Sequence, residues 1–122
     1  MSAIDEHLGR VRAALPRRLT AAEVPAFLQR GGLLIDTRPQ GLRRMDGSLP
    51  GALVVDRNQL EWRLDPTSQW RIPEVAGAHQ EIVLVCDEGY ASSLAAASLQ
   101  ALGVVRATDL DGGFQAWKAL QV

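Results

Sequence analysis

One stretch in the second half of the chain, residues 82–93, constrains the fold more than any other. Four apolar and mostly β-branched residues run directly into Cys86, which is the only cysteine of the chain. A short polar loop with Gly89 follows, and a Ser-Ser pair then leads into an alanine-rich run. This order predicts a buried strand, a tight anion-binding loop and a helix. Because ligands of open parallel sheets bind beyond the carboxyl ends of the strands, Cys86 occupies the place where such a fold carries its chemistry.

Length and composition fit one domain and disfavour several classes of protein. The chain has 122 residues, 47% of them hydrophobic, and a formal net charge of -1. We therefore expect no nucleic acid and no membrane among its main partners. No apolar run approaches the roughly 18 residues of a membrane span, and the charged start lacks the apolar segment of a secretory signal. A single cysteine excludes an internal disulfide and cysteine-rich zinc sites, so we expect a cytoplasmic protein with a reduced thiol.

Short apolar runs alternate with helical patterns along the chain. Strands are predicted at residues 33–35, 53–55, 82–85 and 107–110, with a very short edge strand at Arg18-Leu19. Thr20 and Glu23 have the spacing of a capping box, which predicts a helix to about Gln29. Leu60 and Leu64 face inward on a later predicted helix. This alternation predicts an α/β protein with a parallel sheet of four or five strands and right-handed crossovers.

The N-terminal segment carries an amphipathic pattern. Its apolar residues are spaced four, three and four apart, at Ile4, Leu8, Val11 and Leu15. This spacing predicts a helix over residues 2–14. Pro16 ends it, because the residue before a proline avoids the helical conformation. The stripe can pack on its own domain or on a second copy of the chain, so a monomer and a homodimer both remain open.

Cys86 is the candidate nucleophile. The thiolate is the reactive form, and a free cysteine has a pKa of about 8.5. Loop amides that point inward and the positive end of the following helix would both favour the thiolate. Gly89 permits a left-handed conformation in such a loop, while Ser92 and Ser93 can cap the helix or donate hydroxyls into the loop. The alternative is that Cys86 is a small buried apolar residue, the commonest state of a lone cysteine.

Other cysteine chemistries are disfavoured by what surrounds the loop. His7 lies in the predicted N-terminal helix and His79 in a loop before the central strand, so neither is placed to act as the base of a Cys-His hydrolase. Loops of the tyrosine-phosphatase type place an arginine six positions after the cysteine, where it grips phosphate. That position here is Ser92, which argues against a thiol-based phosphatase or arsenate reductase.

Four segments resemble the rhodanese-like sulfurtransferase domain, over about residues 18–120. Residues 34–38 resemble the family's strand that ends in Asp-x-Arg, and residues 47–52 its Gly-His-Ile-Pro-Gly-Ala turn. Residues 85–92 resemble its active-site loop, Cys-x-x-Gly-x-Arg-Ser, and residues 110–117 its closing Gly-Gly-x-x-x-Trp segment. Each motif is weak alone, but four of them in this order and spacing are strong.

The resemblance implies a central parallel five-stranded sheet with helices on both faces. Residues 16–122 would form the domain and residues 1–15 a helix packed on it. The resemblance also implies that Cys86 takes sulfane sulfur from a small-molecule donor as a persulfide. A thiol or cyanide, or a partner protein, would then accept the sulfur. No metal or organic cofactor is implied.

The residues around the predicted persulfide show two departures from the family. Its binding loop comprises Asp87, Glu88, Gly89, Tyr90, Ala91 and Ser92, whose amides would stabilise the outer sulfur as an oxyanion hole does. Ala91 stands where the family often has arginine, and two acids follow Cys86. Both departures make the pocket less attractive to thiosulfate, which is a dianion. They also favour an alternative, a binding or regulatory module that keeps the fold with little turnover.

Two arginines are candidates for offsetting these acids. Arg38 and Arg57 each follow the end of a predicted strand, so they are the candidates for anion binding. The alternative for both is an ordinary solvated arginine. Asp36 is expected to have a structural role near the site, accepting backbone hydrogen bonds.

Overall fold

Four short parallel strands form one sheet in the computed structural model, which describes residues 1–121. They are β1 (Leu33–Asp36), β2 (Leu53–Val54), β3 (Ile82–Val85) and β4 (Ala107–Asp109). Their order across the sheet is β2-β1-β3-β4. The strand that leads into Cys86 is therefore an inner one, paired with β1 on one side and β4 on the other.

Six α-helices surround the sheet within residues 1–121. They are α1 (Ala3–Ala14), α2 (Val24–Gln29), α3 (Gln40–Asp46), α4 (Leu60–Leu64), α5 (Ala91–Ala101) and α6 (Gly113–Ala119). Short 3-10 turns at Ala21–Glu23 and Arg57–Gln59 precede α2 and α4. The capping box predicted at Thr20 and Glu23 is formed. None of these helices combines the length and the apolar character that crossing a membrane requires.

Helices cover both faces of the sheet, as the resemblance to the rhodanese-like domain implies. Successive strand side chains point to opposite faces, so β3 contributes to two separate apolar clusters. On one face Ile82 and Leu84 pack with residues of α4 and α5 such as Leu60 and Leu99. On the other face the packing partners come from α2 and α6, in a cluster that contains Leu34, Val83, Val85, Phe27 and Phe114. Each such side chain contributes about 1.5–3 kcal/mol when fully buried.

The expected fifth strand is absent from the described residues, so the sheet has four strands. Leu19 makes a single parallel bridge to Leu110, and its N–H donates to the carbonyl of Asp109 at 3.0 Å. Pro16 and the cap at Thr20 confine this extended segment to three residues, 17–19. Both chains turn away just after this pair, one into the 3-10 turn at Ala21 and the other into the turn at Asp111 and Gly112. Only one bridge therefore forms, and the five-stranded prediction is wrong for this physical reason.

The predicted N-terminal helix is present and packs on α5 of its own chain. Ser2 caps α1 by accepting a hydrogen bond from the amide of Asp5. Leu8 is buried, and Leu15 packs against the core just after the helix ends. Ile4, at the outer end of the predicted stripe, stays 56% exposed. The last turn of α1 is consequently held close to the start of α5, where the cysteine loop ends.

Candidate active site

Cys86 follows the last residue of β3 and faces a cavity of about 420 Å³ at the carboxyl edge of the sheet. We call this space the Cys86 cavity. Its walls are formed by Thr37, Arg38, Pro39, Leu42, Arg57, Asp87, Glu88, Tyr90 and Ala91. Only 9% of Cys86 is exposed. A reactant must therefore enter the cavity to reach the sulfur.

Three hydrogen bonds surround the sulfur of Cys86. The amides of Gly89 and Ser92 donate to Sγ at 3.2 and 3.3 Å, and the thiol donates to Ser92 Oγ at 3.2 Å. Ser92 lies in the first turn of α5, so its N–H has no partner within the helix. Amides directed in this way stabilise negative charge on the atom they face. The loop is therefore suited to hold an anionic sulfur.

Glycines let the cysteine loop lie directly on the turn before α6. Gly89 has a φ of +87°, and a Cβ added there would come within 2.8 Å of the amide nitrogen of Gly112. A Cβ on Gly113 would lie 2.6 Å from the carbonyl oxygen of Cys86. That carbonyl accepts a hydrogen bond from the amide of Phe114 at 2.9 Å. The paired glycines thus support the loop by permitting backbone-to-backbone contact.

Asp109, the last residue of β4, holds the loop from behind. Its Oδ2 accepts hydrogen bonds from the hydroxyls of Ser92 and Ser93, both at 2.7 Å, and its Oδ1 accepts from Arg18 Nε at 2.7 Å. Asp109 is fully buried, and the side chain of Arg18 is 18% exposed. Because the Ser92 hydroxyl donates to Asp109, it presents a lone pair to the Cys86 thiol.

Two guanidinium groups converge on the carbonyl oxygen of Gly89. Arg12 Nη2 donates to it at 2.6 Å and Arg18 Nη2 at 2.9 Å. Arg12 Nε also donates to Ser93 Oγ at 3.1 Å, and the Arg12 guanidinium lies 5.4 Å from the centre of the Tyr90 ring. Two opposing effects act on the pKa of Arg18. Burial lowers it, whereas hydrogen bonds and charge attraction to Asp109 raise it, with smaller contributions from Asp111 and Cys86. The net result is a pKa above the ordinary value.

A second buried ion pair lies on the other side of β3. Arg38 Nη2 donates to Asp36 Oδ2 at 2.8 Å and to the Gly47 carbonyl at 2.9 Å. Asp36 also accepts the backbone amide of Arg38 at 3.0 Å. The guanidinium carbon lies 3.6 Å from the centre of the Phe114 ring, and Nη1 has no hydrogen-bond partner in the described part of the chain. The Arg38 side chain has no exposed surface, so its guanidinium does not offer a contact to a molecule in the cavity.

A family model of the rhodanese-like domain matches residues 20–120. The chain belongs to the rhodanese-like family. The match includes the Cys86 loop and both glycines of the supporting turn, but it begins after α1 and after Arg18.

Solved structures similar to this rhodanese-like domain include one from Rhodopseudomonas palustris, a protein of unknown function and possible tyrosine phosphatase. The two sequences are 27% identical, and the match covers 98% of this chain and 91% of the R. palustris chain at a TM-score of 0.83. A rhodanese homolog from Thermus thermophilus is 30% identical, covering 83% of this chain and all of its own at a TM-score of 0.59. The human single-domain sulfurtransferase TSTD1 shares the fold at 22% identity, covering 88% and 99% at a TM-score of 0.73. No curated protein matches the chain.

The structure brings most of the predicted site residues of this rhodanese-like domain to one place. Seven of them line the Cys86 cavity, namely Arg38, Arg57, Cys86, Asp87, Glu88, Tyr90 and Ala91. Gly89 and Ser92 lie behind the sulfur, and Asp36 lies beneath Arg38. Arg57 is 44% exposed and donates to Glu61 at 3.0 Å. No group of three or more histidine, cysteine or acidic side chains that could hold a metal occurs within residues 1–121.

Sequence reasoning missed the residues that hold the loop from behind. Asp109 carries a usable signal, because it comes at the carboxyl end of a predicted strand, where site residues of α/β proteins collect. Arg12 carries none, since it precedes Gly89 by 77 residues and stands on an unrelated helix. Only the packing of α1 on α5 brings it to the loop.

Proposed function

We propose that this protein is a sulfurtransferase that carries sulfane sulfur as a persulfide on Cys86. The observation that supports this most directly is the pair of amides, from Gly89 and Ser92, that donate to the Cys86 sulfur at the inner end of an open cavity. Such amides stabilise the anionic sulfur of Cys86 both before it attacks the donor and when it leaves as the thiolate. A cytoplasmic location would keep the thiol reduced.

The reaction has two displacement steps. In the first, the Cys86 thiolate attacks the outer sulfur of the donor, a new S–S bond forms, and the donor's own bond to that sulfur breaks. The donor leaves with the electron pair, as a thiolate from an organic persulfide or as sulfite from thiosulfate. In the second, a thiol or cyanide attacks the outer sulfur, and Cys86 leaves as the thiolate.

The charges around the cavity favour an organic persulfide as donor over thiosulfate. The Arg38 side chain has no exposed surface, and Arg57 is paired with Glu61. Ala91 supplies no charge, and Glu88 is an exposed acid at the cavity wall. A compact inorganic dianion gains little here, whereas a persulfide with an organic group gains contact with apolar walls such as Leu42. The cavity volume of about 420 Å³ falls in the ordinary range of small-molecule sites.

Mass spectrometry of the intact protein tests this proposal. After incubation with glutathione persulfide, mercaptopyruvate or thiosulfate, the wild type should gain one sulfur atom, fastest with glutathione persulfide. Cys86→Ser should gain none. A wild type that stays unmodified with all three donors would contradict sulfur transfer and favour a binding module.

The same two proteins, the wild type and Cys86→Ser, separate sulfur transfer from phosphate hydrolysis in an aryl phosphate assay. The R. palustris structure is described as a possible tyrosine phosphatase, but the sixth position after the cysteine here is Ser92, whose hydroxyl is bound to Asp109. We expect no Cys86-dependent hydrolysis of an aryl phosphate. Measurable hydrolysis that Cys86→Ser abolishes would favour the phosphatase instead.

A further inference from the structure

We infer that Arg12, on the helix that precedes the family domain, is a positioning residue that sets the reactivity of Cys86. Its importance for sulfur transfer rests on the proposed function, whereas its effect on the thiol does not. Arg12 reaches the loop through two hydrogen bonds, to the Gly89 carbonyl at 2.6 Å and to Ser93 Oγ at 3.1 Å. It touches neither the sulfur nor the cavity.

Arg12 fixes the orientation of one peptide unit in the loop. The carbonyl of Gly89 and the N–H of Tyr90 belong to the same trans peptide, so they point in opposite directions. Arg12 and Arg18 both donate hydrogen bonds to that carbonyl oxygen. The Tyr90 N–H is thereby directed away from them, and Tyr90 lines the Cys86 cavity. Arg12 thus fixes an amide of the loop that would surround a transferred sulfur.

Arg12 also places a positive charge beside the loop. Arg18 is shared between Asp109 and Asp111, at 2.7 and 3.2 Å. Arg12 forms no ion pair with a carboxylate in the described residues 1–121, so its charge is not neutralised by an acidic partner. It is partly buried between the loop and α5, where salt and water screen a charge less than at an open surface. Arg12 is therefore a cation next to the loop whose charge no carboxylate of the described residues neutralises.

This cation comes from outside the segment that the family model matches. Ala91 leaves the loop without an arginine of its own, and the loop carries Asp87 and Glu88 instead. The family match begins at residue 20, whereas Arg12 stands on α1. A positive charge that favours an anionic sulfur is consequently supplied by the N-terminal helix, and none by an arginine of the loop itself.

Alkylation of Cys86 by iodoacetamide tests this role without reference to sulfur transfer. Arg12→Met should slow alkylation at neutral pH about fivefold, because it removes a neighbouring cation that favours the thiolate. Arg10→Met is the matched control, since Arg10 is exposed on the same helix and loses the same charge. It should stay within about 1.5-fold of the wild type, as expected for a screened surface charge. Equal rates in Arg12→Met and Arg10→Met would overturn the inference.

Two further measurements distinguish positioning from a general loss of structure. Arg12→Met should lower kcat for sulfur transfer about tenfold while KM stays within about twofold, because the displaced amide acts in the transition state. Arg12→Lys keeps the charge but lacks the planar fork that donates from Nε and Nη2 to two separate acceptors, so both the alkylation rate and kcat should be intermediate. If Arg12→Met fails to fold, an Arg12→Lys rate equal to that of the wild type would overturn the inference. If the wild type transfers no sulfur, the proposed function fails and the alkylation comparison still decides the role of Arg12.

Discussion

The two strands beside β3 both end in an aspartate that pairs with an arginine, yet the two pairs serve different parts of the molecule. Asp36 ends β1 and Asp109 ends β4. Asp36 binds Arg38, two residues further on, and the pair is sealed, with side-chain exposures of 1% and 0%. Asp109 binds Arg18, 91 residues away in the sequence, and that arginine is 18% exposed.

The two ion pairs differ in the groups that they contact. In the Asp36 pair, Arg38 donates to the Gly47 carbonyl and packs on the Phe114 ring. This pair therefore connects the loop at Gly47 with α6. The Asp109 pair continues through the Ser92 hydroxyl to the Cys86 thiol. The same two residue types at equivalent strand ends can therefore serve stability at one and reactivity at the other. Which role each takes depends on what lies within hydrogen-bond distance of the carboxylate.

Arg38→Met should have the largest effect on stability. It leaves the Asp36 carboxylate buried without its ion-pair partner, which costs about 3–5 kcal/mol. Urea unfolding followed by circular dichroism measures the change. Arg57→Met is the control, because it breaks a partly exposed pair that contributes below about 1 kcal/mol. A loss at Arg38 no greater than the loss at Arg57 would show that the sealed pair is not a stabilising element.

Asp109→Asn should change the reactivity of Cys86, whereas the matching change at Asp36 should not. It removes a negative charge two hydrogen bonds from the sulfur, so the thiolate is favoured and iodoacetamide should alkylate Cys86 roughly threefold faster. The stability should fall by about 1–3 kcal/mol through weaker hydrogen bonds to charged groups. Asp36→Asn should also destabilise the fold but leave the alkylation rate of the folded protein within about twofold. Equal alkylation rates in the two variants would remove the distinction between the pairs.

The smallest effect concerns an exposed counterpart of these pairs, Arg17–Glu23. Hydrogen bonds from Arg17 first, and then from Thr20, lower the pKa of Glu23 from 4.5 to about 2. A carboxyl whose folded pKa is depressed contributes stability above its unfolded pKa and loses it as the pH falls through the folded value. The contribution of Glu23 should therefore be complete above about pH 4.5 and disappear toward pH 2.

An NMR titration of the Glu23 side chain checks this value. In Arg17→Ala the pKa of Glu23 should rise toward 4.5 but remain below it, since Thr20 still donates. An unchanged Glu23 titration in Arg17→Ala would show that the capping box alone causes the shift. In either case the alkylation rate of Cys86 should not change, because this pair makes no contact with the loop.

Much of the fold and part of the site could be predicted from local patterns. The run 82–85 is apolar on both faces and is a strand buried on both faces, and the Thr20–Glu23 spacing is a formed capping box. The prediction of a fifth strand failed because the chain turns away soon after Leu19 and directly after its partner Leu110, which leaves a single bridge between them. Arg38 follows a strand end, as an anion-binding residue would, but the sequence did not reveal that Asp36 and Phe114 enclose it.

The sequence by itself determined the central unit of this protein, a buried strand that delivers one cysteine to a glycine-containing loop at the start of a helix. That unit depends on neighbouring residues, whose conformations follow from periodicity, caps and turn residues. The tertiary structure decided how the loop is held and charged. Arg12 and Asp109 reach Gly89 and Ser92 only because α1 packs on α5 and β4 pairs with β3. Arg18 reaches Gly89 because its neighbour Leu19 bridges to Leu110. Hydrogen bonds between residues so distant in the chain depend on the fold as a whole, and no local pattern encodes them.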